Sequence, residues 1–189
     1  MLQEPAGLPT RWTVVPCPIG ELLLVGDGEV LQELWILSDP SQVPPRVASS
    51  LVHDPAAFAE VERQLQAYFG GELRTFDVAI APRGTRFQRR VWQALVTIPY
   101  GSTITYGALA TRIGRPDRAR AVGAANGRNP IPIVIPCHRV IGTRGDLVGY
   151  GGGLERKAAL LSLERSGRLP LAQASAWWGQ ASPWWGEDT

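Results

Sequence analysis

The chain has 189 residues, of which 44% are hydrophobic, and its formal net charge at pH 7 is +2. This composition predicts a globular protein of one large or two small domains, and no stretch reaches the roughly 18 consecutive apolar residues of a membrane helix. The N-terminal sequence MLQEPAGLPT lacks the basic and apolar regions of a signal peptide, so we expect a cytoplasmic protein without membrane association. With only two cysteines and two histidines, we expect neither a disulfide bond nor a bound metal.

The positive charge is concentrated in one part of the chain. Between positions 83 and 144 a single acidic residue, Asp117, stands among eleven arginines, at positions 83, 86, 89, 90, 112, 115, 118, 120, 128, 139 and 144. Such an asymmetry favours a polyanionic partner such as a nucleic acid. A solvated basic face is the alternative explanation.

The first segment carries strand signals and one helix signal. WTVVP, GELLLVG and EVLQELWIL predict a meander of antiparallel strands. Asp54, followed by Pro55, is a candidate helix cap, and apolar residues recur at helical spacing until Gly70 and Gly71 end the helix. LRTFDVAI predicts a further strand. We therefore expect an N-terminal extension at 1–10, a small α/β domain at 11–80 and a linker, APRGT, at 81–85.

The second segment begins with three predicted helices. Thr85 and Gln88 have the spacing of a capping box, and the helix they begin stops at PYG, residues 99–101. Thr105 is a candidate cap for the helix TYGALATRIG, and DRARAVGAANGR resumes helical composition after a Gly/Pro turn. Two short helices around such a turn, with arginines nearby, predict a helix-turn-helix. Many helical hairpins of this length never contact DNA, so this outline alone leaves the function open.

The second helix of this pair is unusually thin. Its small residues are Ala119, Ala121, Gly123, Ala124 and Ala125, so the helix can approach a surface closely. Tight helix packing would need the same residues. The neighbouring Arg118, Arg120 and Arg128 favour a nucleic-acid surface, because burying them in a core is costly.

The stretch NPIPIVIPCHRVIG brings together a thiol, an imidazole and a guanidinium. Its prolines exclude a helix and predict an extended, stiff approach to Cys137. Downstream, LVGY predicts a strand, and a helix should begin near Leu154. The glycines at 151–153 lack the Lys-Ser/Thr pair of a P-loop, so close approach of the backbone to a ligand is the better interpretation.

Cys137 is the candidate nucleophile, whereas Cys17 is expected in the core. In extended chain the side chains of Cys137 and His138 point to opposite sides, so we expect the imidazole to act through a water. A third group should orient the imidazole. Glu164 is a candidate from its position, although a glutamate near a helix end is more commonly solvated.

Several motifs, in order and spacing, resemble the methylated-DNA–protein-cysteine methyltransferases, also called O6-alkylguanine-DNA alkyltransferases. These motifs are Phe87-x-x-x-Val91-Trp92, PYG at 99–101, TYGALA at 105–110, RAVG at 120–123, NP at 129–130, IPCHRV at 135–140, GYGGG at 149–153 and LLSLE at 160–164. The resemblance covers about 80 residues of the second segment closely. It extends to the first segment more loosely, through PIGELLLVG.

The resemblance implies an α+β protein. A ribonuclease H-like N-terminal unit with an antiparallel sheet would precede a winged-helix domain at 86–166, whose helix-turn-helix enters the minor groove of double-stranded DNA. A damaged O6-alkylguanine would be rotated out of the duplex, and its alkyl group would move irreversibly to a cysteine. We expect a monomer that needs no cofactor and repairs one lesion per molecule.

Residue roles follow from the same resemblance. Cys137 would be the nucleophile, His138 its base through water, Glu164 the group that holds His138, and Asn129 the residue that fixes the turn bearing the site. Tyr106 would displace the phosphate and help to protonate the departing guanine, and Arg120 would fill the space of the rotated nucleotide. The implied DNA-binding set is Arg120, Tyr106, Ala119, Ala121, Gly123, Ala125 and Arg128, and the implied pocket set is Val140, Tyr150, Gly151 and Asn126.

The sequence also departs from the family pattern. Some members hold a zinc ion in the first domain, but only Cys17 and His53 are available here, so zinc should be absent. Gly151 stands where some relatives have a hydroxyl residue, which leaves the tolerance of bulky alkyl groups open. The Trp-rich tail at 167–189 resembles nothing known to us; we expect it to pack loosely, although it could instead form a stacking surface for bases or a partner.

Three other functions fit parts of the pattern. A sensor that binds alkylated guanine without transfer would lack the nucleophile, so Cys137 argues against it. A thiol hydrolase would use the same residues and turn over many times. A helix-turn-helix transcription factor would bind undamaged DNA with sequence preference.

Overall fold

The computed structural model describes residues 10–170, and its first half is built on a four-stranded sheet of order β3-β2-β1-β4. The strands are β1 at Arg11–Cys17, β2 at Gly20–Gly26, β3 at Leu31–Leu37 and β4 at Val52–His53. The first three pair antiparallel and β4 joins β1 in parallel. The predicted meander is confirmed.

Two helices complete the first half, α1 at Pro45–Ser50 and α2 at Ala59–Phe69. The Asp54 side chain accepts a hydrogen bond from the Ala57 backbone N–H, and a 3₁₀ turn at Pro55–Phe58 leads into α2. The helix ends at Gly70, and Gly71 follows at φ +77°, a conformation that few other residues adopt. The cap and the end of this helix are as predicted.

The strand predicted at LRTFDVAI does not form. Only Ile80 makes a bridge, to Leu31, and the backbone of Asp77 is held by the side chain of Gln64, at 2.7 and 2.9 Å. Further along β3 the Leu34 N–H already donates to the Pro130 carbonyl at 2.8 Å. The free edge of the sheet is therefore occupied from another part of the chain, and the prediction is wrong.

The second half is helical, with α3 at Arg86–Val96, α4 at Tyr106–Arg112, α5 at Ala119–Gly127 and α6 at Leu154–Ser166. Thr85 and Gln88 form the predicted capping box at the start of α3. The Thr105 hydroxyl caps α4, and Gly114, at φ +67°, opens the turn to α5. The helix-turn-helix outline is confirmed. Strands β5 (Ile104–Thr105) and β6 (Val140–Ile141) pair in parallel beside it.

The approach to Cys137 is folded back instead of extended. The Asn129 side chain accepts from the Ile131 N–H at 3.0 Å and donates to the Ile135 carbonyl at 2.8 Å, which closes a compact turn. Ile133 lies at φ +75° in this turn. The prolines exclude a helix as expected, but one side chain bonded to two points of the loop overrides the extended preference. LVGY is likewise irregular and not a strand.

The two halves share one apolar core. The cluster runs from strand residues such as Leu22 and Leu34 through Tyr68 to Trp92 and Leu160. Hydrogen bonds also cross between the halves, because Arg156 of α6 donates to the Ile19 carbonyl at 2.7 Å. Within residues 10–170, no helix combines the length and the apolar character needed to span a membrane.

Trp92 supports the packing of α3 against α5, and we predict that Trp92→Phe destabilises the protein. Its indole is 1% exposed and donates to the Ala125 carbonyl at 2.9 Å. Phenylalanine removes this hydrogen bond, leaves the carbonyl only the longer bond from the Arg128 N–H at 3.2 Å, and does not fill the space of the indole, which together cost about 1–3 kcal/mol. The measurement is the free energy of unfolding in urea. The control is Trp35→Phe, at a side chain 39% exposed, which should change the free energy by less than about 0.5 kcal/mol. Equal effects of the two substitutions would contradict the prediction.

Candidate active site and nucleic-acid interface

A cavity of about 590 Å³ lies where the edge strand β3 meets the second half of the chain. Its walls come from β3 and Arg46 on one side, from residues 126–132 on another, and from the glycine-rich loop at 149–152. Cys137 lines this cavity and is 4% exposed. The volume falls in the range of small-molecule pockets, so a purine base has room beside the sulfur.

The thiol of Cys137 is protonated in the free protein. Burial raises its pKa to about 11, although the Asn129 side chain and the Lys157 ammonium act in the opposite sense. A thiolate therefore forms only when a base takes the proton. Cys17 is a contrast: it is buried in the core, its pKa is raised further by burial, and it does not line the cavity.

His138 follows Cys137 in a 3₁₀ turn, Cys137–Arg139. The expectation of extended chain at this point is wrong, because successive side chains in a 3₁₀ helix are about a third of a turn apart rather than opposite. The imidazole is fully buried, and its Nε2 lies 2.9 Å from Oε1 of Glu164.

The protonation state of His138 suits a base. Burial lowers the pKa of the imidazole and outweighs the opposing effect of its hydrogen bond to Glu164, so the ring is neutral at pH 7. Since the ionised carboxylate accepts, Nε2 carries the hydrogen and Nδ1 is left as the acceptor. Nδ1 is buried and has no hydrogen-bond partner among the described residues.

Glu164 is the centre of a buried polar cluster. Its carboxylate receives hydrogen bonds from Tyr68 Oη at 2.8 Å and from the Gly101 N–H at 3.0 Å, in addition to His138. The Arg139 guanidinium reaches both carboxylate oxygens at 2.8–3.1 Å. Burial alone would raise the pKa of Glu164, but the bonds from His138 and Arg139 lower it to about 2. The carboxylate is therefore ionised at any physiological pH.

Two members of this cluster are not predicted by the sequence. Arg139 is expected from its place in the motif to favour the Cys137 thiolate, whereas the structure pairs it with Glu164. Tyr68 is one of the apolar positions at helical spacing before Gly70. It lies 96 residues from Glu164 in the chain, and no local pattern marks the contact.

Two asparagines frame the cavity. Asn129 holds the turn described above and lines the cavity wall. Asn126, at the end of α5, is buried, lines the cavity and directs its amide to the Cys137 carbonyl at 3.4 Å. The nucleophile thus lies in a loop that is anchored from two sides.

Tyr106 is the first residue of α4 and stands between α5 and the glycine-rich loop. Its hydroxyl donates to the Val148 carbonyl at 3.1 Å, and a Cβ added at Gly123 would lie 3.6 Å from its ring. Burial, followed by the nearby Cys137 sulfur, raises the pKa of the phenol. The phenol of Tyr106 therefore keeps its proton at neutral pH.

Helix α5 presents an arginine-flanked, small-residue face. Arg120 and Arg128 are exposed, and Ala119, Ala121 and Gly123 are partly exposed. Ala125 is 2% exposed and packs in the core, so its predicted place on the DNA-binding face is wrong. The reason is helical periodicity, which turns this position inward, toward Trp92.

The residues implied to line the pocket also fall into two groups, those that the structure places at the cavity and one that it places elsewhere. Tyr150, Gly151 and Asn126 line the cavity, but Val140 does not. Val140 is fully buried in the core, because β6 runs behind the site. Gly152 was not predicted, yet it lines the cavity, and a Cβ there would lie 2.9 Å from the Tyr150 ring and 3.1 Å from Ile36 Cδ1. The segment that the structure describes contains no cluster of three or more potential metal ligands.

Fold and site together define a helix-turn-helix protein with a candidate thiol nucleophile in a cavity beside its exposed helix. Residues 86–166 match the DNA-binding domain of 6-O-methylguanine DNA methyltransferase, and residues 10–82 match the ribonuclease-like domain of the same family. The chain therefore belongs to the 6-O-methylguanine DNA methyltransferase family. The resemblance inferred from the motifs is confirmed, as is the α+β fold class.

Individual relatives agree with this assignment. The methylated-DNA–protein-cysteine methyltransferase of Mycobacterium tuberculosis is 54% identical over 156 residues, which cover 82% of this chain and 93% of that protein. The Methanosarcina acetivorans protein of the same name is 50% identical over 155 residues, 82% of this chain and 98% of that protein. A crystal structure of Mycobacterium tuberculosis OGT in complex with DNA superposes with a TM-score of 0.79 at 51% identity and covers 87% of this chain and 98% of that one.

We predict that Glu164→Gln destabilises the protein by about 3–5 kcal/mol, because it leaves the buried charge of Arg139 without its counter-ion. Chemical denaturation at pH 7 measures the loss. Glu72→Gln, which removes an exposed carboxylate, is the matched control and should change the free energy of unfolding by less than about 0.5 kcal/mol. A loss below 1 kcal/mol for Glu164→Gln would show that the carboxylate is not the counter-ion of the cluster.

Proposed function

We propose that this protein repairs double-stranded DNA by transferring the alkyl group of O6-alkylguanine to the sulfur of Cys137. Membership of the methyltransferase family supports the reaction class. The observation that carries the assignment to this sulfur is its place on the cavity wall, beside a neutral His138 whose other nitrogen is bound to Glu164.

In the proposed step, Nδ1 of His138 takes the proton of the Cys137 thiol, directly or through one water. The thiolate then attacks the alkyl carbon, the bond between that carbon and O6 of guanine breaks, and its electron pair stays on the guanine. Tyr106 helps to protonate the departing base, and the proton that His138 took from the thiol then returns to the tyrosine through solvent, so both side chains end uncharged. The products are S-alkylcysteine and unmodified guanine.

The product explains why the protein acts once. A thioether is inert to water, and among the described residues that line the cavity there is no second thiol and no amine to take over the alkyl group. Burial holds the thiol protonated at neutral pH, which protects it from stray electrophiles until a substrate occupies the cavity. Positioning of the base beside the sulfur then supplies much of the rate enhancement.

Access to the lesion requires that the guanine leave the duplex. We propose that α5 enters the minor groove through its small residues and that Arg120 fills the space of the rotated nucleotide. The exposed arginines supply sequence-independent affinity for phosphates, which suits a protein that must scan DNA without base preference. Rotation costs a few kcal/mol, and an inserted side chain offsets part of it.

In this proposal the two domains have different roles. Residues 86–166 would carry the nucleophile and the DNA surface, while residues 11–80 would close the cavity with β3. The predicted cytoplasmic location stays a proposal, supported by the DNA substrate. The Trp-rich tail falls almost entirely at 171–189, outside the described residues.

Incubation of the wild-type protein with a duplex containing O6-methylguanine should add one methyl group per molecule, on the peptide that contains Cys137. Mass spectrometry of the intact protein and its peptides measures this. Cys137→Ala should abolish transfer and retain DNA binding within about twofold, while Cys17→Ala, the matched control, should still transfer. Release of many product molecules per protein, or transfer by Cys137→Ala, would overturn the proposal.

Arg120→Ala should slow transfer from duplex DNA by roughly tenfold or more, because the rotated state of the guanine loses its stabilising side chain. Transfer from a single-stranded oligonucleotide, which needs no rotation out of a duplex, should change much less. Arg63→Ala removes the same charge from α2 and serves as the control for nonspecific electrostatics. Equal losses on duplex and single-stranded substrates would show that Arg120 contributes only general affinity.

A further inference from the structure

Lys157 is the only lysine among the 19 basic residues of the chain, and it is fully buried. The other basic side chains are all arginine, so position 157 is the one place where the chain uses lysine. A compact ammonium with three rotatable donors differs from a planar guanidinium mainly where space is limited and acceptors converge. The environment of Lys157 is such a place.

The ammonium of Lys157 hydrogen-bonds to both ends of the loop that follows Cys137 in the chain. Nζ donates to the carbonyl of Val140, at 2.6 Å, and to the carbonyl of Val148, at 2.7 Å. The Val148 carbonyl also accepts from the Tyr106 hydroxyl, at 3.1 Å. Residues 149–152, which follow directly, line the cavity that contains Cys137.

The charge of Lys157 has no carboxylate partner. Within residues 10–170 it makes no ion pair, although burial of a cation without a counter-ion is costly. Two backbone carbonyls satisfy hydrogen bonds but carry no net charge. A transient anion in the cavity would therefore be the natural counter-ion of this ammonium.

Cys137 provides that anion when its proton leaves. The positive charge of Lys157 lowers the pKa of the thiol, and the sulfur in turn raises the pKa of the ammonium, which burial lowers. The ionisable groups near the thiol are His138 of its own turn, Tyr106 of α4 and Tyr150 of the loop, all uncharged at neutral pH. Three charged residues also line the cavity, but Glu33 and Arg46 pair with each other at 3.4 Å and Arg128 is exposed to solvent. Lys157 is therefore the buried cation that acts on the sulfur.

We propose that Lys157 is a positioning residue for alkyl transfer: its ammonium fixes the loop that forms the cavity wall and stabilises the Cys137 thiolate by its charge. It exchanges no proton during the reaction, since the thiol proton goes to His138 and the ammonium keeps its three hydrogens. The proposal rests on the function proposed above for its role in transfer, but its electrostatic part concerns the free protein alone.

The first test measures the reactivity of Cys137 toward iodoacetamide, a neutral reagent, as a function of pH, with peptide mass spectrometry to separate Cys137 from Cys17. At neutral pH, where the ammonium carries its charge, Lys157→Met should lower the rate roughly tenfold, the change that one pKa unit produces, because removing a cation destabilises the thiolate. Above the pKa of the ammonium the wild type loses this advantage, so the two rates should converge at high pH. Lys157→Arg keeps the charge and should stay closer to wild type. Arg165→Met, on the exposed side of α6, is the matched control and should leave the rate at neutral pH unchanged.

The second test needs no substitution of Lys157 and therefore decides the matter if Lys157→Met fails to fold. Protein labelled with ¹³C-lysine gives a single lysine signal, whose titration reports the pKa of this ammonium. The thiol is still protonated where the ammonium titrates, so an aspartate is used in place of the thiolate. Because coupling between two sites is reciprocal, Cys137→Asp should raise that pKa relative to the uncharged Cys137→Asn. Equal midpoints in these two variants would overturn the proposal.

The outcomes separate this proposal from the function itself. If the wild-type protein takes no methyl group from DNA, the proposed function fails, whatever Lys157 does. If the wild type transfers and folded Lys157→Met transfers equally fast, with an unchanged rate of Cys137 alkylation by iodoacetamide at neutral pH, only the role of Lys157 fails. Equal losses of that rate in Lys157→Met and Lys157→Arg would show that the charge is not the cause.

Discussion

The buried carboxylate of Glu164 is the constraint on which the site depends. One charged group receives hydrogen bonds from Tyr68 and the Gly101 backbone, pairs with Arg139 and fixes the hydrogen of His138 on Nε2. An ionised carboxylate has acceptor capacity for all of these donors and no proton of its own to give. Its position therefore determines which nitrogen of the imidazole is available as a base.

Burial around the cavity also determines which side chains are charged before a substrate binds. Burial holds the thiol protonated and the imidazole neutral, so the resting site contains no reactive anion. The charge of Arg139 is neutralised by Glu164, whereas the charge of Lys157 has a counter-ion only when the thiolate forms. The site thus favours the charged nucleophile at the moment of transfer without maintaining it beforehand, which suits a protein that can act once.

Local sequence signals predicted most of the helices and strands because the groups involved are neighbours in the chain. The caps at Asp54, Thr85 and Thr105 are bonds to residues three positions away, and they formed as predicted. The strand expected at 73–80 and the extended approach to Cys137 did not form. There, the backbone found partners that the local sequence does not show: the Gln64 side chain, and an asparagine that spans six residues.

The sequence by itself determined the chemistry: a thiol next to an imidazole, a thin arginine-flanked helix, and motifs specific enough to identify the family. Only the tertiary structure decided which groups meet. Ala125 and Val140 turned inward, while Tyr68, Gly101 and Lys157 came to the site from elements far apart in the chain. The physical reason is that such contacts follow from how one apolar core packs the two halves together, and burial, which sets the pKa of Cys137 and His138, exists only after that packing.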